Sequence, residues 1–393
     1  MDCATTFNQF IPTQILFGRN QLSKLHEQNL PGKKALLVIS RGKSARANGY
    51  LDRTQQQLLL AGVESVVFDK VESNPTKSTV MEGGRAAREH ACDFIVALGG
   101  GSCIDAAKAI AVMATNDGDF WDYVATGTGK GKKVNSDPLP IVAITTTAGT
   151  GSEADPGAVI SNEETQEKTG FRHPLLFPRL AVVDPELMRT VPPFMTACQG
   201  FDALFHSVEG YVSNGVNLMS DMYAITAIRN IGRYLARAVK NGDDMEARER
   251  VAFGNTLSST VMCVGRCTSE HALEHAMSAF HPGLPHGAGL ILISKAYYTH
   301  LIRRHVCDDR FIAMAEALGM ENARDPMDFI TALENLQKAC CVDQLKMSDY
   351  GIRPEEFAGM TKNARATAVY LFSCDRIALT DEDCTAIYEA SFA

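Results

Sequence analysis

One aspartate and four histidines fall at spacings suited to binding a metal ion. Asp202 and His206 are four residues apart, and so are His271 and His275; on a helix that spacing places both side chains of a pair on one face. His286 follows between a proline and a glycine. A single histidine is usually structural, but this grouping predicts a site of three imidazoles and one carboxylate, which suits Fe²⁺ or Zn²⁺.

A different metal chemistry fits part of the same segment. His271, Glu274 and His275 match the H-x-x-E-H motif of inverted zinc peptidases, in which both histidines bind zinc and the glutamate activates water. That interpretation needs another carboxylate ligand downstream. It also gives no role to Asp202 or His206, so a zinc hydrolase is the rival hypothesis.

A glycine-rich loop could bind phosphate. The residues from Gly99 to Gly101 follow an apolar run, and Ser102 opens a helix-like segment. Without Cβ atoms, backbone N–H groups can approach phosphate oxygens, and a helix N-terminus adds partial positive charge. The Ser102 hydroxyl could donate another hydrogen bond. Asp105 is interpreted either as an acid that stabilises the helix start or as an anchor for a ribose or a loop.

A second loop of small residues, 144–154, also follows an apolar run. Its threonines, serine and glycines offer hydrogen-bond donors with little bulk. Two such loops suit a dinucleotide. Neither has the G-x-G-x-x-G spacing, which argues against a standard Rossmann site.

These residues need rigid elements to position them. Short apolar runs typical of buried parallel strands occur at 35–39, 65–68, 94–98, 140–144 and 180–183. Amphipathic stretches of helix length lie between the first three runs, and this alternation predicts a β-α-β sheet.

The second half has a different periodicity. After residues 184–193 the strand signal fades and helix-length segments follow. We therefore predict an α/β dinucleotide-binding domain over residues 1–186, Rossmann-like with a parallel sheet, and an all-α metal-binding domain over residues 187–393.

Composition excludes several classes of protein. The chain of 393 residues is long enough for two domains, and its net charge of −8 gives no reason to expect nucleic-acid binding. It has neither a long apolar run nor the pattern of a signal peptide, so we expect a cytoplasmic protein without membrane contact. The 11 cysteines form no C-x-x-C pair and are interpreted as small hydrophobic residues.

Taken together, these motifs resemble the iron-containing (group III) alcohol dehydrogenase family. The resemblance covers nearly the whole chain, and several separated motifs in one order are more specific than any single motif. The matching segments are 99–108, 146–153, Asp184-Pro185, the pair Asp202 and His206, and the series His271, His275 and 285–287.

The family resemblance implies a ligand set and a cofactor site. By position, the metal ligands are Asp202, His206, His271 and His286, and His275 lies near the nicotinamide as a proton relay or as a residue that orients a ligand. Contacts to the diphosphate fall on Gly99, Gly100, Gly101 and Ser102. Contacts to ribose and nicotinamide fall on Thr145, Thr146, Thr150 and Ser152, and a further cofactor contact falls on Lys168.

One turn departs from the family pattern. Members that prefer NAD often have an aspartate after the first strand, whereas this chain has Ser40, Arg41 and Lys43 in that turn. A ribose 2′-phosphate could be tolerated there, so the expected cofactor is NAD or NADP.

The resemblance implies reversible hydride transfer between a short primary alcohol, or its aldehyde, and a nicotinamide, assisted by Fe²⁺ or Zn²⁺. A glycerol-type polyol dehydrogenase of the same fold is the alternative, although such enzymes usually have one imidazole fewer around the metal. We further expect a homo-oligomer, a dimer or larger.

Overall fold

The computed structural model describes residues 3–392, and its first half alternates strands with helices. The strands are β1 (Gln14–Phe17), β2 (Lys34–Ser40), β3 (Glu64–Val71), β4 (Phe94–Gly99), β5 (Ile141–Thr145), β6 (Gly157–Asn162), β7 (Glu167–Arg172) and β8 (Leu180–Val183). The helices between them are α1 (Ser44–Ala47), α2 (Tyr50–Leu60), α3 (Lys77–Glu89) and α4 (Gly101–Thr115).

Among the described residues, six strands form one parallel sheet in the order β1-β8-β5-β4-β2-β3. The five apolar runs of the sequence correspond to β2, β3, β4, β5 and β8. Because β2 pairs with both β3 and β4, the chain reverses direction across the sheet at β2. The carboxyl ends of β2 and β4 therefore flank a topological switch point, where open α/β sheets bind ligands.

Alternation along the central strands builds a core on each face of the sheet. In β2, Leu36 and Val38 pack into one apolar cluster with α3 and α4, whereas Leu37 and Ile39 pack into the other with α2. Both faces are covered, so the strands are apolar throughout rather than at every second residue.

The remaining two strands, β6 and β7, form an antiparallel hairpin separate from the main sheet. Their turn contains neither glycine nor proline, and Gln166 adopts the left-handed conformation with φ of 54°. The hairpin carries Lys168 opposite Ser161.

The second half of the chain is helical. Its helices are α5 (Pro193–Val212), α6 (Leu218–Lys240), α7 (Met245–Val264), α8 (Ser269–Phe280), α9 (His286–Arg303), α10 (Asp308–Ala317), α11 (Asp328–Ala339), α12 (Phe357–Thr367), α13 (Val369–Phe372) and α14 (Asp381–Ser391). The predicted fold class, a parallel α/β part followed by a helical part, is confirmed.

Helix α5 forms the centre of the helical part. It packs against α6, α7 and α9, and every residue from Gly200 to Val212 is buried. A helix buried on all sides is normally apolar. The polar groups Asp202, His206 and Glu209 on this helix therefore require partners within the protein.

The chain divides into two compact units. One contains Phe10–Thr147 and Gly151–Thr190; the other contains the described residues before Phe10, the short segment Ala148–Thr150 and the chain from Val191 onward. Within the part of the chain that the structure describes, none of the helices has the length and apolar character needed to span a bilayer.

Candidate metal centre and dinucleotide loops

Three helices of the helical unit bring the predicted metal ligands together. Asp202 and His206 lie on α5, His271 lies on α8, and His286 is the first residue of α9. The start of α9 approaches α5 closely, because a Cβ atom at Gly287 would lie 2.0 Å from the carbonyl oxygen of Cys198. Glycine at this position therefore permits the approach that places the neighbouring histidine beside α5.

The Nε2 atoms of three histidines surround one carboxylate oxygen. Oδ1 of Asp202 lies 3.6 Å from Nε2 of His206, 3.6 Å from Nε2 of His271 and 3.5 Å from Nε2 of His286. Ligand atoms bound at about 2 Å from one ion lie roughly 3.0–3.5 Å apart. The three separations between Asp202 and the histidines are thus close to those of ligands that share one ion, and slight contraction is expected on binding.

Two of these atoms lack the hydrogen bonds that buried polar atoms normally make. Within residues 3–392, Oδ1 of Asp202 and Nε2 of His271 have no hydrogen-bond partner, although the two side chains are only 4% and 3% exposed. Leaving such atoms unsatisfied costs free energy. A divalent cation would satisfy both atoms, so the donor set fits the metal that the sequence motifs imply.

Two buried glutamates orient the histidine rings. Nδ1 of His271 is bonded to the carboxylate of Glu209, and Nδ1 of His286 is bonded to the carboxylate of Glu274. Both glutamates are fully buried. A carboxylate on Nδ1 fixes the ring orientation and leaves Nε2 available for a metal, which is a common arrangement at protein metal sites.

Sequence reasoning missed both of these orienting roles. Glu209 is three residues after His206 and seven after Asp202, so helical spacing alone places it on the face of the predicted ligands. Glu274 was considered only as the water-activating group of a hydrolase. In the structure, one of its oxygens bonds to His286 and the other accepts the hydroxyl of Ser278, so both oxygens already have partners within the protein.

The two glutamates that orient the histidine rings lead to a testable expectation. Replacing Glu274 by alanine should weaken Fe²⁺ binding by about 10–100-fold, because the His286 ring loses the partner that fixes its orientation. Glu274→Gln retains an oxygen acceptor and should lose less. Anaerobic metal titration measures both effects, with Glu334→Ala on α11 as a control; equal affinities in all proteins would contradict the orienting role.

The pKa values of Asp202 and His271 reflect how closely the charged groups of the cluster lie together. Burial alone would raise the pKa of Asp202, but the adjacent His206, His286 and His271 hold it below its ordinary value. Burial alone would lower the pKa of His271, but Cys267 and the Glu209 carboxylate raise it well above its ordinary value. The surroundings therefore stabilise a protonated imidazole next to the Asp202 carboxylate. A bound cation would supply this positive charge in place of the proton.

His275 lies beside the predicted ligands. It is one helical turn after His271 on α8, and its ring centroid is 5.4 Å from that of His286 and 6.1 Å from that of His271. The side chain is buried. Its ligand atom also groups with those of Glu274 and His286 closely enough to contact a metal ion.

In the α/β unit, strand register brings three predicted cofactor-binding segments to one sheet edge. Ile39 pairs with Leu98, so the turn at Ser40 lies beside the glycine loop. Gly99 pairs with Thr145, and the N–H of Thr146 donates to the Gly99 carbonyl at 3.0 Å. These segments follow β2, β4 and β5 at their carboxyl ends.

The glycine loop leaves little room for a side chain. A Cβ atom at Gly100 would lie 2.8 Å from Cγ2 and Oγ1 of Thr147, closer than side chains normally approach. Gly100 caps α4, and Gly101 and Ser102 form its first turn. The loop therefore presents backbone at the N-terminus of a fifteen-residue helix, which favours binding of an anion.

The contacts of Asp105 are those of a loop anchor. Its Oδ1 accepts the hydroxyl of Ser152 at 2.5 Å, and its Oδ2 accepts the N–H of Val159 at 2.9 Å. Nζ of Lys108 donates to the same Ser152 hydroxyl at 2.7 Å and to the Gly157 carbonyl at 2.6 Å. Both side chains on α4 thus hold the second loop, whereas the sequence analysis included Lys108 only as the last residue of the matching segment 99–108 and gave it no role.

A pH dependence follows from this anchor. Burial raises the pKa of Asp105 to about 6, against the opposing charge of Lys108. Between about pH 4 and pH 6 the folded protein therefore binds a proton that the unfolded chain releases, so the stability that Asp105 contributes is lost as pH rises through 6. Asp105→Asn should flatten this part of the pH profile of the unfolding free energy. Urea titrations of wild type and variant across this range measure it, and parallel profiles would contradict the raised pKa.

The remaining predicted cofactor residues occupy three different places. Thr150 belongs to the short segment that groups with the helical unit. Lys168 is buried on the β6–β7 hairpin rather than on the main sheet. Arg41 and Lys43 are exposed in the turn after Ser40.

Two sequence-family models match this chain. "Iron-containing alcohol dehydrogenase" matches residues 12–185, and "Fe-containing alcohol dehydrogenase family, C-terminal" matches residues 196–392. Together they include the glycine loop and all four predicted metal ligands.

Characterised proteins are similar over most of their length. The 1,3-propanediol dehydrogenase of Klebsiella pneumoniae is 35% identical over 371 residues, covering 91% of this chain and 92% of that protein. The NAD-dependent methanol dehydrogenase of Bacillus methanolicus is 31% identical over 373 residues, covering 91% of this chain and 93% of that protein.

Solved structures share the fold. An archaeal halo-thermophilic alcohol dehydrogenase from a Red Sea brine pool superimposes with a TM-score of 0.95 at 32% identity, covering 100% of both chains. A 1,3-propanediol oxidoreductase superimposes with a TM-score of 0.90 at 31% identity, covering 98% of this chain and 100% of the other.

Proposed function

This chain belongs to the iron-containing alcohol dehydrogenase family and is an alcohol/aldehyde oxidoreductase, and from that membership we propose which residues perform the reaction. The proposed reaction is the interconversion of a short primary alcohol and its aldehyde with a nicotinamide dinucleotide. The observation that carries the proposal is the convergence of three histidine Nε2 atoms on one buried oxygen of Asp202.

In this proposal Asp202, His206, His271 and His286 hold the metal ion. Bound Fe²⁺ supplies a Lewis acid that stabilises negative charge developing on the substrate oxygen. Zn²⁺ suits the same donor atoms. Burial of Asp202, His206 and His271 excludes water from their donor atoms, which strengthens electrostatic interactions there, whereas His286 is partly exposed.

The proposed dinucleotide site is the edge formed by the loops after β2, β4 and β5. Gly99, Gly100, Gly101 and Ser102 bind the diphosphate through backbone N–H groups and the serine hydroxyl. The nicotinamide supplies the hydride acceptor or donor. Thr145, Thr146, Thr150, Ser152 and Lys168 are the proposed contacts to the rest of the cofactor, and Asp105 acts through Ser152 by holding its loop.

We propose that the turn at Ser40 accepts the adenosine ribose of either NAD or NADP. Arg41 and Lys43 put two exposed positive charges in this turn, and no carboxylate lies in residues 40–44 to repel a 2′-phosphate. These charges support binding of NADP(H).

His275 is the proposed proton carrier. Its buried ring lies next to the ring of His286, so a ring nitrogen can take up or release the hydroxyl proton of a substrate bound beside the ligands. Three further predictions accompany this proposal: a domain boundary between residues 186 and 187, a homo-oligomeric assembly and a cytoplasmic location.

The test is oxidation of reduced nicotinamide, followed by its absorbance, when Fe²⁺-loaded protein is mixed with short aldehydes. Parallel assays use NADH and NADPH, each with and without prior removal of metal by a chelator. We expect metal-dependent oxidation of at least one cofactor. Turnover that is unchanged after complete metal removal would overturn the proposed centre, and discrimination against NADPH would overturn the proposed role of the turn.

A further inference from the structure

A buried cysteine lies among the proposed metal ligands. The sulfur of Cys267 and one ring nitrogen each of His206 and His271 all lie within 4.8 Å of one another. All three side chains are buried, with Cys267 only 9% exposed. Sequence analysis interpreted the cysteines only as small hydrophobic residues. In the structure, this sulfur and two imidazole nitrogens lie close enough to one another to bind the same metal ion.

The turn that carries Cys267 is held firmly against α5. The hydroxyl of Thr268 donates to Glu209 at 3.0 Å, and the backbone N–H of Thr268 donates to the same oxygen. On the other side of the cysteine, the carbonyl of Gly265 accepts the hydroxyl of Ser213 at 2.7 Å. Because Thr268 bonds to α5 and Gly265 bonds to its cap residue Ser213, the backbone around Cys267 is held close to the helix that carries His206.

Two donor sets therefore share the same pair of histidines. With Asp202 and His286, the pair forms a set of three nitrogens and one oxygen; with Cys267, it forms a set of two nitrogens and one sulfur. Thiolate sulfur is a soft ligand that favours Zn²⁺ and related ions, whereas carboxylate oxygen suits harder ions. Both sets use the imidazole rings of His206 and His271.

We propose that Cys267 is an additional metal ligand, which binds thiophilic divalent ions such as Zn²⁺ and Cd²⁺ together with His206 and His271. This inference rests on the proposed metal centre, because it uses two of its ligands. On binding, the thiol releases its proton to solvent and a sulfur–metal bond forms, with no change in oxidation state. Thiophilic ions then compete with Fe²⁺ for the shared imidazoles.

The experiment uses Cd²⁺ as the soft probe and Mn²⁺ as the hard probe on metal-free full-length protein. We expect Cd²⁺ to produce an ultraviolet sulfur-to-cadmium charge-transfer band in the wild type. Cys267→Ser should lose that band and should lose affinity for Cd²⁺ while still binding Mn²⁺. Cys340→Ser, which changes another buried cysteine of the helical unit, is the matched control and should retain the band.

Each outcome separates this inference from the proposed function. Cd²⁺ binding without the band, or a band that persists in Cys267→Ser, overturns sulfur ligation while the proposed centre stands. If the wild type binds neither ion, both proposals fail together. Mn²⁺ binding by Cys267→Ser also reports that the variant is folded, and Cys267→Ala provides a second variant without a hydroxyl.

Discussion

His286→Ala should remove the bound metal and nearly all alcohol dehydrogenase activity, while dinucleotide affinity stays at the wild-type level. The variant deletes one of three nitrogens that surround the Asp202 oxygen, and it leaves the Glu274 carboxylate buried without its imidazole partner. Loss of a residue that is hydrogen-bonded to a metal ligand costs about 10–100-fold in metal affinity, so loss of the ligand itself should cost more.

Metal content per chain and turnover are the two measurements, each made after loading with Fe²⁺ and removal of excess ion. His300→Ala is the matched control, because this histidine lies on the same helix α9, fourteen residues after His286, with its Nε2 3.7 Å from Oδ1 of Asp383. Full turnover of His286→Ala in metal-free buffer would show that the ligand assignment is wrong.

The second large effect is expected at the glycine loop. Gly100→Val should weaken NAD(H) or NADP(H) binding by about tenfold, because anion contacts at a helix N-terminus contribute up to roughly 2 kcal/mol and a tenfold change is about 1.4 kcal/mol. The new Cβ atom would meet Thr147 at 2.8 Å, so the loop must shift, and the added methyl groups block close approach of phosphate.

Fluorescence titration of reduced cofactor measures this effect, and metal content should not change. Thr115→Val, which introduces the same side chain at the opposite end of α4, is the control. Wild-type cofactor affinity in Gly100→Val would exclude this loop as the diphosphate site.

The sheet could be predicted from the sequence because its strands are buried on both faces. The runs that became β2, β4 and β5 are continuously apolar, and no surface strand gives so clear a signal. The β6–β7 hairpin was missed for the opposite reason. β6 combines apolar residues with Ser161 and Asn162, and β7 mixes charged and apolar residues. The left-handed position in their turn is occupied by Gln166, where glycine or asparagine would have indicated a hairpin.

The ligand cluster could be predicted in part, because spacing on a helix reports which side chains share a face. It cannot report contacts between helices that are far apart in sequence. The bond from Glu209 to His271 joins residues 62 positions apart, and the closeness of Cys267 to His206 depends on how α7 turns into α8. These partners become visible only when the packing of α5 against α8 and α9 is known.

The division of the chain into two units also limits how fragments and chimeras of the protein can be designed. Between residues 3 and 392 the polypeptide passes from one compact unit to the other four times, and the detour Ala148–Thr150 is three residues long. A gene fragment that starts at Val191 would encode the four proposed ligands but would omit both earlier pieces of their unit. Exchange of the helical unit between relatives therefore requires three separate grafts, and a single crossover at residue 190 would join segments that had not evolved together.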